Sequence, residues 1–384
     1  MEKIQSKLPH SGTSIFTVMS QLAVQHNALN MGQGFPGFDI DMNLASLVEK
    51  HIRAGKNQYA PMPGVMELRE QIASKISKLY DFSVHPHSEI TITAGATQAI
   101  FTAITALIQP GDEVILFAPA YDCYEPAIRL QGARPIWIDL KYPDYHIPWA
   151  RVKAAITPKT KMIIINTPHN PTGKMWCRDD MKELEILSVE NQLFIVSDEV
   201  YEHITFDGRR HESIFHYPKI AERSIGVFSF GKTFHATGWK VGYAIAHADI
   251  MNEFRKVHQY NVFSVNTPVQ YAMAEYLADE EHYQNLPTMY QHKRDLFLNQ
   301  MKGSAWLCQP AEGAYFQVLN YSKISDLGDV EFAKQLVETH KIATIPLSVF
   351  YPMGSEEKLL RICFAKDDKT IYTAAEILLN IANR

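Results

Sequence analysis

Cysteine is scarce in this chain. Cys123, Cys177, Cys308 and Cys363 lie far apart, with no CxxC pair and no metal-ligand spacing, which speaks against a disulfide framework or a zinc site. A field of one charge sign is also missing. The 37 basic and 42 acidic side chains leave a formal net charge of −5, so nothing advertises a nucleic-acid or membrane partner. Internal repeats and low-complexity tracts are absent, as is an obvious interdomain linker. The opening Met1-Glu2-Lys3-Ile4-Gln5-Ser6-Lys7-Leu8-Pro9 has no apolar core of a secretory signal, and with so few cysteines a reducing, cytoplasmic location is expected. One uncharged stretch, Ile90 to Gly111, is long enough on paper to cross a bilayer. Its five threonines, Gly95, Gln98 and the break at Gln109-Pro110-Gly111 fit a buried strand, turn and helix better.

What is present is a large apolar core. Of 384 residues 46% are hydrophobic and 21% charged, enough for two globular domains. Short β-branched runs alternate with helical patterns through the middle of the chain. Strands are expected at Glu89–Thr93, Glu113–Ala118, Arg134–Asp139, Lys161–Asn166, Leu193–Asp198, Ser224–Phe230 and Val241–Ala246. Thr97–Ile108, Cys123–Gln131 and Arg178–Glu190 read as amphipathic helices between them. The strand runs are almost continuously apolar, which suits a mostly parallel sheet covered on both faces. After Thr267 the pattern changes. Pro268–Ala278 and Glu281–Met301 read as helices, and then Ala314–Leu319, Glu331–Thr339, Lys358–Phe364 and Thr370–Ala382 read as strand, helix, strand, helix. The expected architecture is α/β: a large domain over residues 43–280, with a mostly parallel seven-stranded sheet, and a smaller α+β domain from residues 1–42 and 281–384.

Gly32-Gln33-Gly34-Phe35-Pro36-Gly37 matches GxGxxG in letters only. No strong strand precedes it, Pro36 breaks the helix that should follow, and Asn57 stands where an acid is needed. A turn lying close to a ligand remains the reading. Sixteen histidines include His85-Pro86-His87 and the pair His211 and His216, without carboxylates at ligand spacing, so no metal site is expected. Asn320-Tyr321-Ser322 is a formal glycosylation sequon, of no consequence inside a cell.

The informative residues stand at the ends of the expected strands, where open α/β sheets bind ligands beside helix N-termini. Ala94-Gly95-Ala96-Thr97 ends the first strand. Asn166-Thr167-Pro168-His169-Asn170-Pro171-Thr172-Gly173, Asp198-Glu199-Val200-Tyr201 and Ser229-Phe230-Gly231-Lys232 end later ones. Each is unremarkable by itself: a turn, an N-cap aspartate, a solvated lysine. In this order, and followed by Gly238-Trp239-Lys240-Val241-Gly242, they resemble the pyridoxal-phosphate aminotransferases of class I/II, fold type I. The likeness runs from Gly32-Gln33-Gly34-Phe35-Pro36 to Arg361-Ile362-Cys363-Phe364. It is strongest to the kynurenine, glutamine and methionine branch, through Gly-Gln-Gly-Phe-Pro and Asp122-Cys123-Tyr124-Glu125-Pro126.

The resemblance implies roles. Lys232 matches the Schiff-base lysine, whose released amine shuttles a proton at the substrate's α-carbon. Asp198 matches the partner of the pyridine nitrogen; buried beside that cation, its own pKa should fall. Tyr201 and Asn170 match donors to the cofactor's phenolic oxygen, and Tyr121 the aromatic that stacks on the ring. Gly95, Ala96, Thr97, Ser229 and Lys240 match the phosphate cradle. Lys240 departs from the aspartate aminotransferase pattern, where arginine is usual, and supplies a point charge in place of a fork. Arg361 matches the arginine that forks the substrate's α-carboxylate, with Gly34 presenting backbone to the same group. Tyr59 matches a tyrosine that reaches the neighbouring subunit's phosphate, which implies a homodimer. Phe16 and Phe263 fall where this branch lines its side-chain pocket, and either could equally be core. No second arginine for an acidic side chain is evident.

The implied activity is ping-pong transfer of an α-amino group from an apolar, aromatic or sulfur-containing amino acid to a 2-oxo acid. Methionine, phenylalanine, tyrosine, glutamine and kynurenine are the donors it suggests. Two rivals stand beside it. A β-lyase acting on cysteine conjugates or cystathionine would use the same Lys232 and Asp198 but need no 2-oxo acid. A regulatory module keeping the fold would be expected to carry a helix-turn-helix extension, and the chain opens directly on the aminotransferase-like segment.

Overall fold

The computed structural model describes residues 5–9 and 12–382; Met1–Ile4, the opening of the expected small domain, lie outside them. A seven-stranded sheet forms the centre, from β1 (Ile90–Thr93), β2 (Glu113–Ala118), β3 (Arg134–Asp139), β4 (Thr160–Asn166), β5 (Phe194–Asp198), β6 (Ser224–Ser229) and β7 (Gly242–Ala246). Its order is β1-β7-β6-β5-β4-β2-β3. Only β7 runs against its neighbours, paired antiparallel with β1 and β6. The expected strands are all here, with ends shifted by a residue or so.

Why these segments are strands shows in how they split the core. Ile115 and Phe117 of β2, with Ile163 and Ile165 of β4, pack into one apolar cluster. The intervening Val114, Leu116, Met162 and Ile164 pack into another on the opposite face. This two-residue alternation of direction, apolar on both sides, produces a sheet buried on both faces. The uncharged stretch from Ile90 becomes β1, a turn and the helix Ala96–Leu107. Among the described residues no helix is long and apolar enough to cross a membrane.

A second, three-stranded sheet contains β8 (Phe316–Asn320), β9 (Ile345–Pro346) and β10 (Leu359–Cys363), with β10 in the middle and both pairings antiparallel. Leu29–Asn30 pairs in parallel with Ile342–Ala343, so the two ends of the chain are joined there. Ahead of that pairing lies the helix Ile15–Gln25. The long helix expected over Glu281–Met301 is broken into Glu281–Gln284 and Leu286–Met301. Pro287 is the cause: it suits the first turn of a new helix but has no N–H to continue an old one.

Beneath the sheet edge a charged pair is sealed from water. Lys75, on the helix Met66–Tyr80, donates to Glu202 and, at 2.8 Å, to Tyr243; Tyr80 donates to the second Glu202 oxygen at 2.5 Å. Burial alone would raise the Glu202 pKa, but the Lys75 ammonium holds it down to about 2. Glu202→Gln should therefore cost about 3–5 kcal/mol, because it strands a buried ammonium. Urea unfolding at neutral pH checks this. The stabilisation from Glu202 should be full above the ordinary glutamate range and vanish as pH falls through about 2. A cost below ~1 kcal/mol would mean that water reaches the pair.

Candidate active site

The carboxyl ends of β4, β5 and β6 open into one cavity of about 400 Å³. Its wall includes Phe16, Gly34, Gly95, Ala96, Thr97, Tyr121, Asn170, Asp198, Tyr201, Ser229, Lys232, Lys240 and Arg361. Thirteen of the fifteen residues singled out from the sequence thus meet in one place, from segments more than 300 positions apart. The two that do not are Tyr59 and Phe263.

At one end lies a ready anion site. The helix Ala96–Leu107 starts after Gly95, which has φ +79° and offers no side-chain cap, so the first N–H groups of that helix are free for a ligand. A Cβ added at Gly95 would sit 3.4 Å from both Cε and Nζ of Lys240. That close approach places the Lys240 ammonium over the helix start. Lys240 itself takes a left-handed conformation, φ +54°, at the end of a short 3-10 turn. Ser229 ends β6 beside it.

In the floor Asp198 is 4% exposed. Tyr124 donates to its Oδ2 at 2.6 Å and the Val200 N–H to its Oδ1 at 3.3 Å. Within the chain alone, burial raises its pKa to about 6, and the bonds from Tyr124 and Val200 offset only part of that; the fall expected beside a ring cation concerns the site with that cation bound. Lys232 is the nearby cation that counts and its pull is weaker still. Such a carboxylate calls for a positive partner supplied by the ligand.

Lys232 sits in the short helical turn Phe230–Thr233. Burial lowers its pKa to about 8. Its Nζ donates to the Gly34 carbonyl at 3.0 Å and to the Tyr315 hydroxyl at 2.9 Å. Tyr201 packs edge-on against Tyr315 with ring centroids 5.0 Å apart, and burial raises its pKa. Tyr121 lines the wall, its hydroxyl likewise pushed up by burial.

Arg361, on β10, is 1% exposed, and its guanidinium lies 4.1 Å from the Phe316 ring centre, with Phe16 and Phe350 at 5.3 and 5.2 Å. It donates to Asn170 Oδ1 and to the Gly32 carbonyl, each at 2.8 Å. No carboxylate bonds to it, and Nε has no partner among the described residues. Burial pulls even this guanidinium down to about 10. Gly32, Gly34 and Phe35 each turn a carbonyl to a cation, Lys366 serving the last at 3.0 Å.

Tyr59 is 82% exposed and packs edge-on against Phe263, which is 40% exposed, with centroids 5.3 Å apart. Phe263 therefore does not line this chain's own cavity. It sits in a left-handed turn, φ +67°, that ends the helix Ala248–Asn261 and turns it outward.

Sequence reasoning passed over Tyr124 and Tyr315, which bond directly to Asp198 and Lys232. Tyr124 stood inside a quoted motif, three positions after Tyr121 at the start of the helix Tyr124–Leu130; that spacing was the available signal. Tyr315 carries no local signal.

A half-buried lysine, a buried aspartate and a buried arginine around one cavity, at the carboxyl edge of this sheet, define an aminotransferase of fold type I. The chain belongs to the class I and II aminotransferase family, whose model matches residues 27–378. It is 48% identical over 375 residues to methionine aminotransferase of Escherichia coli K12, covering 97% of both chains. Kynurenine–oxoglutarate transaminase of Dictyostelium discoideum is 34% identical over 410 residues, covering 96% of this chain and 94% of that one. Among solved structures, YbdL from Escherichia coli, identified as having a methionine aminotransferase function, superposes with a TM-score of 0.97 at 48% identity over 98% of this chain and 99% of its own. N-succinyldiaminopimelate aminotransferase from Mycobacterium tuberculosis follows with 0.95 at 32% identity, covering 99% and 100%.

Enzymes of this family and fold use pyridoxal phosphate, and the residues present fit it. The free N–H groups of Ala96 and Thr97 under Lys240 suit a phosphate dianion. The carboxylate of Asp198, short of a cation, suits a protonated ring nitrogen.

Proposed function

We propose that this aminotransferase takes its amino group from amino acids with apolar, aromatic or sulfur-containing side chains, methionine foremost, and passes it to a 2-oxo acid. The observation that carries the reading is Arg361: buried, walled by Phe16, Phe316 and Phe350, and without a carboxylate of its own. It supplies a fork for an α-carboxylate with apolar surface around it. The other cations on the cavity wall, Lys232 and Lys240, are taken by the roles below, and no second arginine lines it among the described residues. Methionine and kynurenine transaminases among the relatives support the same substrate class, and their names support transfer over β-elimination.

Gly95, Ala96, Thr97, Ser229 and Lys240 would hold the cofactor's phosphate, Tyr121 its ring face, Asp198 its ring nitrogen, and Asn170 and Tyr201 its phenolic oxygen. When bound, pyridoxal phosphate supplies a carbonyl carbon to take the amino group and a ring to accept the electrons left on the substrate's α-carbon. Lys232, with a pKa of about 8, is neutral for a good part of the time near pH 7–8 and can both hold the aldehyde and move the α-proton. Arg361, with the backbone of Gly34, orients the substrate so that the α-hydrogen faces that amine. Release of the oxo acid before the second substrate binds makes the kinetics ping-pong.

Tyr59 and Phe263 form an exposed aromatic pair that we assign to a homodimer interface, Tyr59 reaching the neighbouring subunit's phosphate. The boundary between residues 43–280 and the flanking segments, and a cytoplasmic location, complete the proposal.

Two measurements test it. Relative kcat/KM with methionine, phenylalanine, alanine and aspartate should place methionine and phenylalanine well above alanine, since each buried CH₂ contributes ~0.8 kcal/mol. Aspartate should be poor, and aspartate as best donor would overturn the substrate class. Arg361→Lys keeps a charge but loses the fork. Charge-assisted hydrogen bonds are worth roughly 1.5–3 kcal/mol, so kcat/KM should fall about ten- to a hundredfold, by a similar factor for every donor.

A further inference from the structure

Tyr315 lies outside every role assigned so far, yet it touches the reactive lysine. The residue precedes β8, is fully buried, and sits 83 positions from Lys232 in the chain. Its hydroxyl has one hydrogen, which it donates to the Gly34 carbonyl at 2.8 Å. Towards Lys232 it can therefore only accept, and the amine donates to it at 2.9 Å. The same amine donates to the Gly34 carbonyl at 3.0 Å. Lysine, phenol and carbonyl close a triangle, and the Tyr201 hydroxyl is a further hydrogen-bond partner of the Tyr315 hydroxyl.

This triangle has a chemical consequence. A neutral amine has two hydrogens and one lone pair. Gly34 and Tyr315 occupy both hydrogens, so the lone pair is the valence left unengaged, on a nitrogen that lines the cavity. A charged ammonium keeps the same two bonds and has a third hydrogen to give. We infer that Tyr315 is a positioning residue for transamination: whenever the Lys232 amine is free, Tyr315 and the Gly34 carbonyl clamp it with its lone pair available. Burial pushes the amine towards neutrality, to about 8, while two oxygen acceptors favour the ammonium. Tyr315 thus also keeps the amine from becoming too weak a base. The other charged groups acting on the amine are Arg361 and Lys240, which lower its pKa, and Asp198 and the Cys363 thiol, which raise it.

The inference rests on Lys232 being the lysine that carries the cofactor, and the test separates the two. Tyr315→Phe removes one oxygen and keeps the ring that packs on Tyr201 and Phe316. In the apoenzyme, the rate of reductive methylation of Lys232 against pH, followed by peptide mass, reports the free amine's pKa without any turnover. Loss of one acceptor should move the midpoint down by about one pH unit, a roughly tenfold change in the protonation equilibrium. In the holoenzyme kcat should fall about tenfold or more, with KM for methionine nearly unchanged, since ground-state binding is untouched.

Tyr290→Phe is the control. Its ring lies 5.8 Å from that of Tyr315 and is equally buried, but its hydroxyl has no partner among the described residues, so neither readout should move. An unshifted midpoint in Tyr315→Phe would overturn the inference, whether or not kcat fell, because a fall without the shift marks mere packing. Equal effects in both variants would overturn it too. If borohydride fixed the cofactor to another lysine, the reading of Lys232 itself would be wrong.

Discussion

Lys232→Ala is expected to abolish turnover and to leave the cofactor bound, if at all, without a covalent link. Among the described residues Lys232 and Lys240 are the lysines on the cavity wall, and the two differ in environment. Burial takes the Lys232 amine down to about 8, whereas Lys240 is exposed and sits over the start of the helix Ala96–Leu107. A nucleophile must be neutral for part of the time; a phosphate counter-ion must not be. Alanine at 232 removes the nucleophile and the α-carbon base at once, so the loss should be of at least several orders of magnitude. Borohydride reduction followed by peptide mapping should find the pyridoxyl group on Lys232. Finding it on Lys240 would sink the assignment of the site.

The second large effect belongs to Asp198. Asp198→Asn keeps shape but leaves one oxygen where two now accept, Oδ2 from Tyr124 at 2.6 Å and Oδ1 from the Val200 N–H at 3.3 Å; with that oxygen facing Val200, the Tyr124 hydroxyl can turn to accept from the amide. What disappears is the negative charge. The variant should still bind cofactor but lose ~10²–10³-fold or more in the rate of α-proton removal, the range for deleting one preorganised electrostatic partner. Single-turnover loss of the substrate's α-deuterium isolates that step. The sign of the pH dependence follows from the raised pKa of about 6. Above it wild-type Asp198 is charged and attracts a cationic ring; below it the carboxyl is neutral, like asparagine. The difference in cofactor affinity between wild type and variant should therefore shrink as pH falls through about 6. Near-normal single-turnover rates in the variant would show that the ring nitrogen lies elsewhere.

How far the molecule can be read from its sequence depends on the range of the interaction. Ile163, Ile164 and Ile165 declare a doubly buried strand because each residue sees only its own face of the sheet. Pro287 splitting the helix at Leu286 is as local, and was there to be read. The order β1-β7-β6-β5-β4-β2-β3 is not local, and neither is the reversal of β7. Gly95, Ala96, Thr97, Asn170, Asp198, Tyr201, Ser229 and Lys232 were legible in short motifs at strand ends, and the family resemblance those motifs carry pointed to Phe16, Gly34, Tyr121, Lys240 and Arg361. Tyr315 was not legible, since its contact with Lys232 needs the chain to return from 83 positions away. The lowered pKa expected of Asp198 belongs to the site with a ring cation beside it; how far burial alone raises it, to about 6, depends on packing that no short motif conveys. The direction of Phe263 was not legible either: an aromatic looks alike in sequence whether a turn aims it inward or, as here, out against Tyr59.

The segment Gly32–Phe35 has a property that its conformation alone does not convey: its length is not negotiable. The carbonyls of Gly32, Gly34 and Phe35 serve Arg361, Lys232 and Lys366 at 2.8, 3.0 and 3.0 Å. Just beyond, the Gly37 N–H donates to the Ala365 carbonyl at 2.8 Å, and a Cβ there would come within 2.8 Å of Lys366. One inserted residue can move an extended chain by roughly 3.3 Å, more than any hydrogen bond tolerates. A single insertion or deletion would thus unseat three cations together, two of them groups on which the chemistry depends. A library of one-residue insertions along the chain should find this stretch among the least forgiving, although it has neither helix nor strand to disrupt.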